Sequence, residues 1–303
     1  MRKIELVIPS REKDLGSFSV RRILPYASHR MVGPFIFFDH MGPADFPPGQ
    51  GMTVRPHPHI HLSTVTYLFD GVIHHRDSLG SDQLIEPGDI NWMTAGNGIV
   101  HSERSPESFK KTGGKVNGIQ CWVALPEEHQ DVEPSFHHHP SETLPEFEIN
   151  GAKLKLLLGS AFNRQSPVKV HSDLFYLDVN LPQGSELHLP CDGREGAVYL
   201  VNGRVEAGDV TLEPYSMAVG HTGEPLVVKA LTDSRFMLLG GKSVGERFIY
   251  WNFISTSKEN LEKAKADWAA GPGNTKRFPK ISGDDNEFIP LPPEDVNPPG
   301  TPL

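Results

Sequence analysis

TVTYLFDGVIHHRD (residues 64–77) reads as two short strands joined at Asp70-Gly71. An Asx-Gly pair between β-branched and aromatic runs is a strong hairpin signal, because the turn needs φ > 0 and glycine adopts it without steric cost. The pattern returns in the second half of the chain as AVYLVNGRVEAGDVTLEPYSMAVG (residues 197–220). There Tyr67–Gly71 aligns with Tyr199–Gly203, and LIEPGDINWM aligns with TLEPYSMAVG, so that Glu86-Pro87 falls on Glu213-Pro214. Hairpin turns resemble one another by chance, but a shared Glu-Pro at a similar distance from the turn does not follow from that. The economical reading is an internal repeat: an all-β chain of two barrels of one design.

Composition agrees. The 303 residues include 29 glycines and 27 prolines against 37% hydrophobic residues, which suits short strands and frequent turns. Residues 1–140 are expected to form the first barrel. The polar, proline-containing stretch 127–149 reads as a linker or a cover over a barrel mouth, and residues 141–280 as the second barrel with a closing helix. That helix, within STSKENLEKAKADWAAGPG, carries a predicted capping box of Thr256 with Glu259 and an apolar face of Leu261, Ala264 and Trp268. Residues 281–303 read as an extended, proline-rich tail.

The net charge of −9, without a dense Lys/Arg stripe, argues against nucleic acid or an anionic membrane surface as direct partner. Only Cys121 and Cys191 are present, which fits a reducing compartment and buried, inert thiols. The N-terminal MRKIELVIPSREKD lacks the apolar core of a signal peptide, and no run of 18 apolar residues occurs. The expected location is cytoplasmic.

RPHPHIHL (residues 55–62) sets His57, His59 and His61 at every second position. In an extended strand His57 and His59 share a face, while Pro56 and Pro58 hold the backbone extended and suit an irregular or edge strand. GIVHSE (residues 98–103) adds His101 and Glu103, again two apart. One such pair is more often surface decoration than a ligand set. Two pairs of matching parity on neighbouring strands can converge on one ion, with imidazole and carboxylate as the donors that borderline divalent metals prefer. His57, His59, His101 and Glu103 are therefore the candidate metal ligands. His61 lies about 13 Å beyond His57 by strand rise, too far for the same ion. His74 and His75 are expected to be solvated, and FHHHP (residues 136–140) is a surface cluster with a weak case as a lid. In the second repeat Leu189, Cys191, Val228 and Ala230 stand at the equivalent places, so no ion is expected there.

HPH at 57–59, YLFDG at 67–71, PGDINWMTAGNGIVHSE at 87–103, QCWVALP at 120–126, FFDHMGP at 37–43 and WNFISTSKE at 251–259 together resemble the pirin family, a bicupin branch of the cupin superfamily. The resemblance implies two cupin-type β-barrels with metal in the N-terminal one only, held by His57, His59, His101 and Glu103. It implies iron, with Fe(II) expected first and Ni, Co, Cu, Mn or Zn also acceptable to such a donor set. The chain departs from the pattern just after the His pair, where Ser63 or Thr64 replaces the usual glutamate.

Two function classes follow. One is a dioxygenase of the quercetin 2,3-dioxygenase type acting on a flavonol or related enol, with dioxygen as co-substrate and Glu103 as general base. The other is a non-enzymatic, redox-sensing protein whose metal oxidation state alters a surface for a protein partner.

Overall fold

The computed structural model describes residues 3–189, 191–293 and 301–302. It sorts into two β-rich units. One is built from Asp14–Val20, Met41–His138 and the chain from Gly245 onward; the other from the chain up to Lys13, Arg21–His40 and His139–Val244.

The first unit carries every candidate ligand. Its smaller sheet has the antiparallel order Thr53–His59, Ile99–Arg104, Ile73–Asp77, Asp82–Ile85. A second sheet runs Ser135–His139, Ile90–Thr94, Leu62–Asp70, Gly114–Ala124. The turn expected at Asp70-Gly71 is present, with φ 91° at Gly71, but the hairpin is corrected: Leu62–Asp70 and Ile73–Asp77 pair with different neighbours in different sheets, so the turn carries the chain from one sheet to the other. The FHHHP cluster is a strand of this sheet rather than a loop.

The second unit repeats the plan. A large sheet runs Ile4–Pro9, Ser216–Gly220, Glu195–Asn202, Ser234–Gly241, Leu174–Leu181, Ala152–Ala161, Glu146–Ile149. A smaller one runs Glu186–Leu189, Leu226–Ala230, Val205–Ala207, Val210–Leu212. Gly203, with φ 86°, sits in the turn that mirrors Gly71. The core is aliphatic: Leu154, Leu156, Leu177, Val198, Leu200, Leu238 and their neighbours are almost wholly buried.

The break expected at 140 falls between His138 and His139, but the chain up to Lys13 with Arg21–His40, and the chain from Gly245 onward, each belong to the other unit from the one expected. Ile4–Pro9 pairs with Ser216–Gly220 in the second unit, where it covers a sheet edge that would otherwise expose unpaired amides. The closing helix, Lys258–Ala269, belongs to the first unit: Leu261, Ala264 and Trp268 pack with Ile60, Val100, Tyr250 and Phe253. Its N-cap is Ser257, whose hydroxyl accepts the Asn260 N–H, and not Thr256, whose hydroxyl is engaged by the Gln130 amide. Residues 281–293 carry no helix or strand, yet Ile281 is buried in the cluster around Trp268. Thr301–Pro302 pairs with Phe248 and Ile249, and the remainder of the expected tail lies outside the described residues. Among the described residues no helix is long and apolar enough to cross a membrane.

One pH effect follows from the second unit. His29 Nε2 lies 2.8 Å from Glu195 Oε1, and that hydrogen bond raises its pKa above the ordinary 6.5. The stabilisation is fully present below pH 6.5 and is lost as pH rises through the folded-state value. Partial solvent access keeps it to about 1 kcal/mol or less. The thermal unfolding midpoint of the wild type is expected to fall on raising pH from slightly acidic to alkaline by more than that of Glu195→Gln, and identical profiles would remove this linkage.

Candidate metal centre

The two strands that carry the His-x-His and His-x-Glu pairs are hydrogen-bonded neighbours, and His101 stands directly opposite His57. All three histidines face the barrel interior, with relative exposures of 6% for His57 and 1% for His59 and His101. Their ring centroids are 4.3 to 5.0 Å apart, and one donor nitrogen from each falls within 4.8 Å of the others. Among the described residues these three form the group that converges as ligands do.

Hydrogen bonds decide which nitrogen each ring offers. His57 Nδ1 lies 2.8 Å from the Arg55 carbonyl and His59 Nδ1 3.2 Å from the Asn252 carbonyl. A carbonyl only accepts, so both Nδ1 atoms carry hydrogen and both Nε2 atoms present a lone pair. Neither ring nitrogen of His101 has a hydrogen-bond partner, although both are buried. A polar atom left so costs roughly 1–3 kcal/mol, and a cation at the centre would relieve it. Burial lowers all three pKa values, that of His57 to about 4, so the imidazoles are neutral donors near neutrality. This donor set fits a borderline divalent metal.

Glu103 is placed differently. It is buried, but its carboxylate stands outside the convergent group. The pairing with Thr53–His59 shifts register between His101 and Glu103, and Glu103 Oε1 accepts the Thr66 hydroxyl at 3.1 Å. Thr66 also lies 2.8 Å from the side-chain amide of Gln120, so Gln120, Thr66 and Glu103 form one polar row inside the barrel. Burial raises the Glu103 pKa, which makes its carboxylate a stronger base.

Several wall residues escaped the sequence reading. The expectation that His75 is solvated is corrected: it is 3% exposed, 5.3 Å ring to ring from His101, stacked on Phe136 at 4.2 Å, and bonded to Asp77. Its parity with Ile73 carried the signal, since alternate residues of that strand are buried. His74 points the other way, to Asp82. Trp122 lies edge-on to His59 at 5.0 Å. His61 follows the end of its strand with φ 59°, so the every-second-residue parity lapses and its ring turns toward Asp131.

Comparison with known proteins bears on this arrangement. The pirin family model matches residues 17–123, and the model of the pirin C-terminal cupin domain matches residues 176–274. A pirin-like protein of Caulobacter vibrioides is 53% identical over 95% of this chain and 99% of its own length. This chain belongs to the pirin family. The pirin architecture of two cupin domains therefore describes both units. A quercetin 2,3-dioxygenase from Acinetobacter baumannii is similar in structure, with TM-score 0.87 and 32% identity over 95% of each chain. A bacterial pirin of Escherichia coli, solved in complex with nickel(II), has TM-score 0.61 over 78% of this chain and 99% of its own; at 20% identity that likeness shows the fold alone.

Proposed function

We propose that this pirin is a metal-dependent dioxygenase of the quercetin 2,3-dioxygenase type, with His57, His59, His101 and Glu103 as ligands of one divalent transition metal, Fe(II) first. The observation that carries the reading is the buried trio of neutral imidazoles, two with Nε2 bared by their own hydrogen bonds and one with no hydrogen-bond partner at all. The similarity to the A. baumannii quercetin 2,3-dioxygenase supports the substrate class.

An ion held there would supply Lewis-acid polarisation of an enol oxygen and a redox-capable centre. The remaining work falls to side chains. Glu103 shifts from ligand to general base when the enol binds: Oε1 is held by the Thr66 hydroxyl, and Oε2 accepts the proton. Gln120 fixes Thr66 and so the plane of the carboxylate. Trp122 and Phe136 supply aromatic walls that exclude water and suit a planar, aromatic enol. Aerobic incubation of iron-loaded protein with quercetin tests the proposal. Quercetin loss matched by dioxygen uptake, absent from metal-stripped protein, is the expected outcome. Equal slow loss in both samples would contradict it.

A further inference from the structure

Side chains of the Ile99–Arg104 strand alternate. His101 and Glu103 face the barrel interior; Val100, Ser102 and Arg104 face outward. That outer face is occupied by the segment after the helix. Asp284, 9% exposed, accepts the Ser102 hydroxyl at 2.7 Å and the Arg104 guanidinium at 2.8 and 2.9 Å. Ser102 lies between the two candidate ligands of its strand. Five residues on, the Ile289 N–H donates to the Pro56 carbonyl at 2.8 Å, next to His57 on the other ligand strand. The segment is anchored at both ends. Ile281 is buried with Val100, Ile60 and Trp268, and the Ile289 carbonyl accepts the Trp268 indole N–H at 3.0 Å.

These contacts fall where the ladder is weakest. Pairing between the ligand strands slips in register between His101 and Glu103 and is locally disrupted there, whereas Ile73–Asp77 pairs with the same residues in unbroken register on the other side. Pro56 and Pro58 contribute no amide donors. The placement of one ligand strand against the other thus lacks regular ladder support at one point, and the outer segment grips both strands there, at Ser102 and at Pro56.

We propose that residues 281–289 are an outer strap that sets the geometry of the metal ligands, with Asp284 as its positioning residue. The proposal rests on the reading of His57, His59, His101 and Glu103 as ligands. The alternative is a fastener that stabilises the fold without touching ligand geometry.

Titration of metal-free, full-length protein with Co(II) in competition with a chelator separates the two. The visible spectrum at saturation reports ligand geometry, and the metal-free unfolding midpoint reports stability. Asp284→Ala is expected to weaken Co(II) binding roughly ten-fold or more, the size usual for groups that orient metal ligands, and to shift the ligand-field bands. Asp284→Asn, which keeps an acceptor for Ser102, should fall between it and the wild type. Should Asp284→Ala fail to fold, Ser102→Ala deletes one of the same bonds and is read in the same way. Wild-type affinity and spectrum with only a lower midpoint would overturn the strap. Failure of the wild type to bind Co(II) would instead overturn the metal reading, and the strap with it.

Discussion

With His101 replaced by alanine, the protein is expected to keep its fold and lose its metal. His101 faces His57 across the strand pair and meets both other imidazoles, so its loss opens the group at its centre, and the nearby His75 ring is held by Asp77. Removing one direct ligand should cost more than the roughly 10–100-fold typical of outer-shell partners, or upwards of about 3 kcal/mol at 1.4 kcal/mol per ten-fold. The metal-free protein should respond in the opposite sense to an ordinary core truncation. Two buried nitrogens without hydrogen-bond partners vanish with the ring, which offsets the small cavity left behind. Metal analysis after dialysis and the metal-free unfolding midpoint check both parts. A variant that retains one ion per chain at wild-type affinity would remove His101 from the ligand set.

Glu103→Gln should lower quercetin turnover by roughly 10²–10⁴-fold at saturating metal, the usual contribution of a positioned general base. The substitution is nearly isosteric, and the amide oxygen can still accept the Thr66 hydroxyl, so the polar row from Gln120 survives. What disappears is the proton acceptor. Because Glu103 stands apart from the three convergent histidines, loss of its charge should weaken metal binding less than loss of His101 does. The measurement is kcat with metal supplied in excess, beside metal affinity for each variant. A kcat unchanged from wild type would exclude the base role, and a loss of metal as severe as that of His101→Ala would make Glu103 chiefly a ligand.

Much of the centre is legible in the chain itself, for a physical reason. The period-two geometry of a strand forces His57 and His59 to one side, and the same rule makes His101 their partner once the two strands pair. The turns at Gly71 and Gly203 are equally local, since a left-handed backbone position at a turn selects glycine, but that each joins strands of two different sheets is not. The register slip between His101 and Glu103 is not local. It arises from how two strands distant in sequence fit, and nothing in GIVHSE announces it. The burial of His75 is legible in its parity with Ile73, by the same period-two rule that places His57 and His59. The helix shows the other limit. Its apolar stripe of Leu261, Ala264 and Trp268 states that it must be buried against something, but amphipathicity carries no address, and the surface it covers belongs to the unit that carries the candidate ligands.

The most direct test of the central claim is X-ray absorption at the K-edge of the metal in the loaded wild-type protein. Three buried imidazoles as ligands predict outer-shell scattering characteristic of histidine rings, with a coordination number near three from that source. A spectrum of oxygen neighbours alone, with no imidazole scattering, would contradict the account.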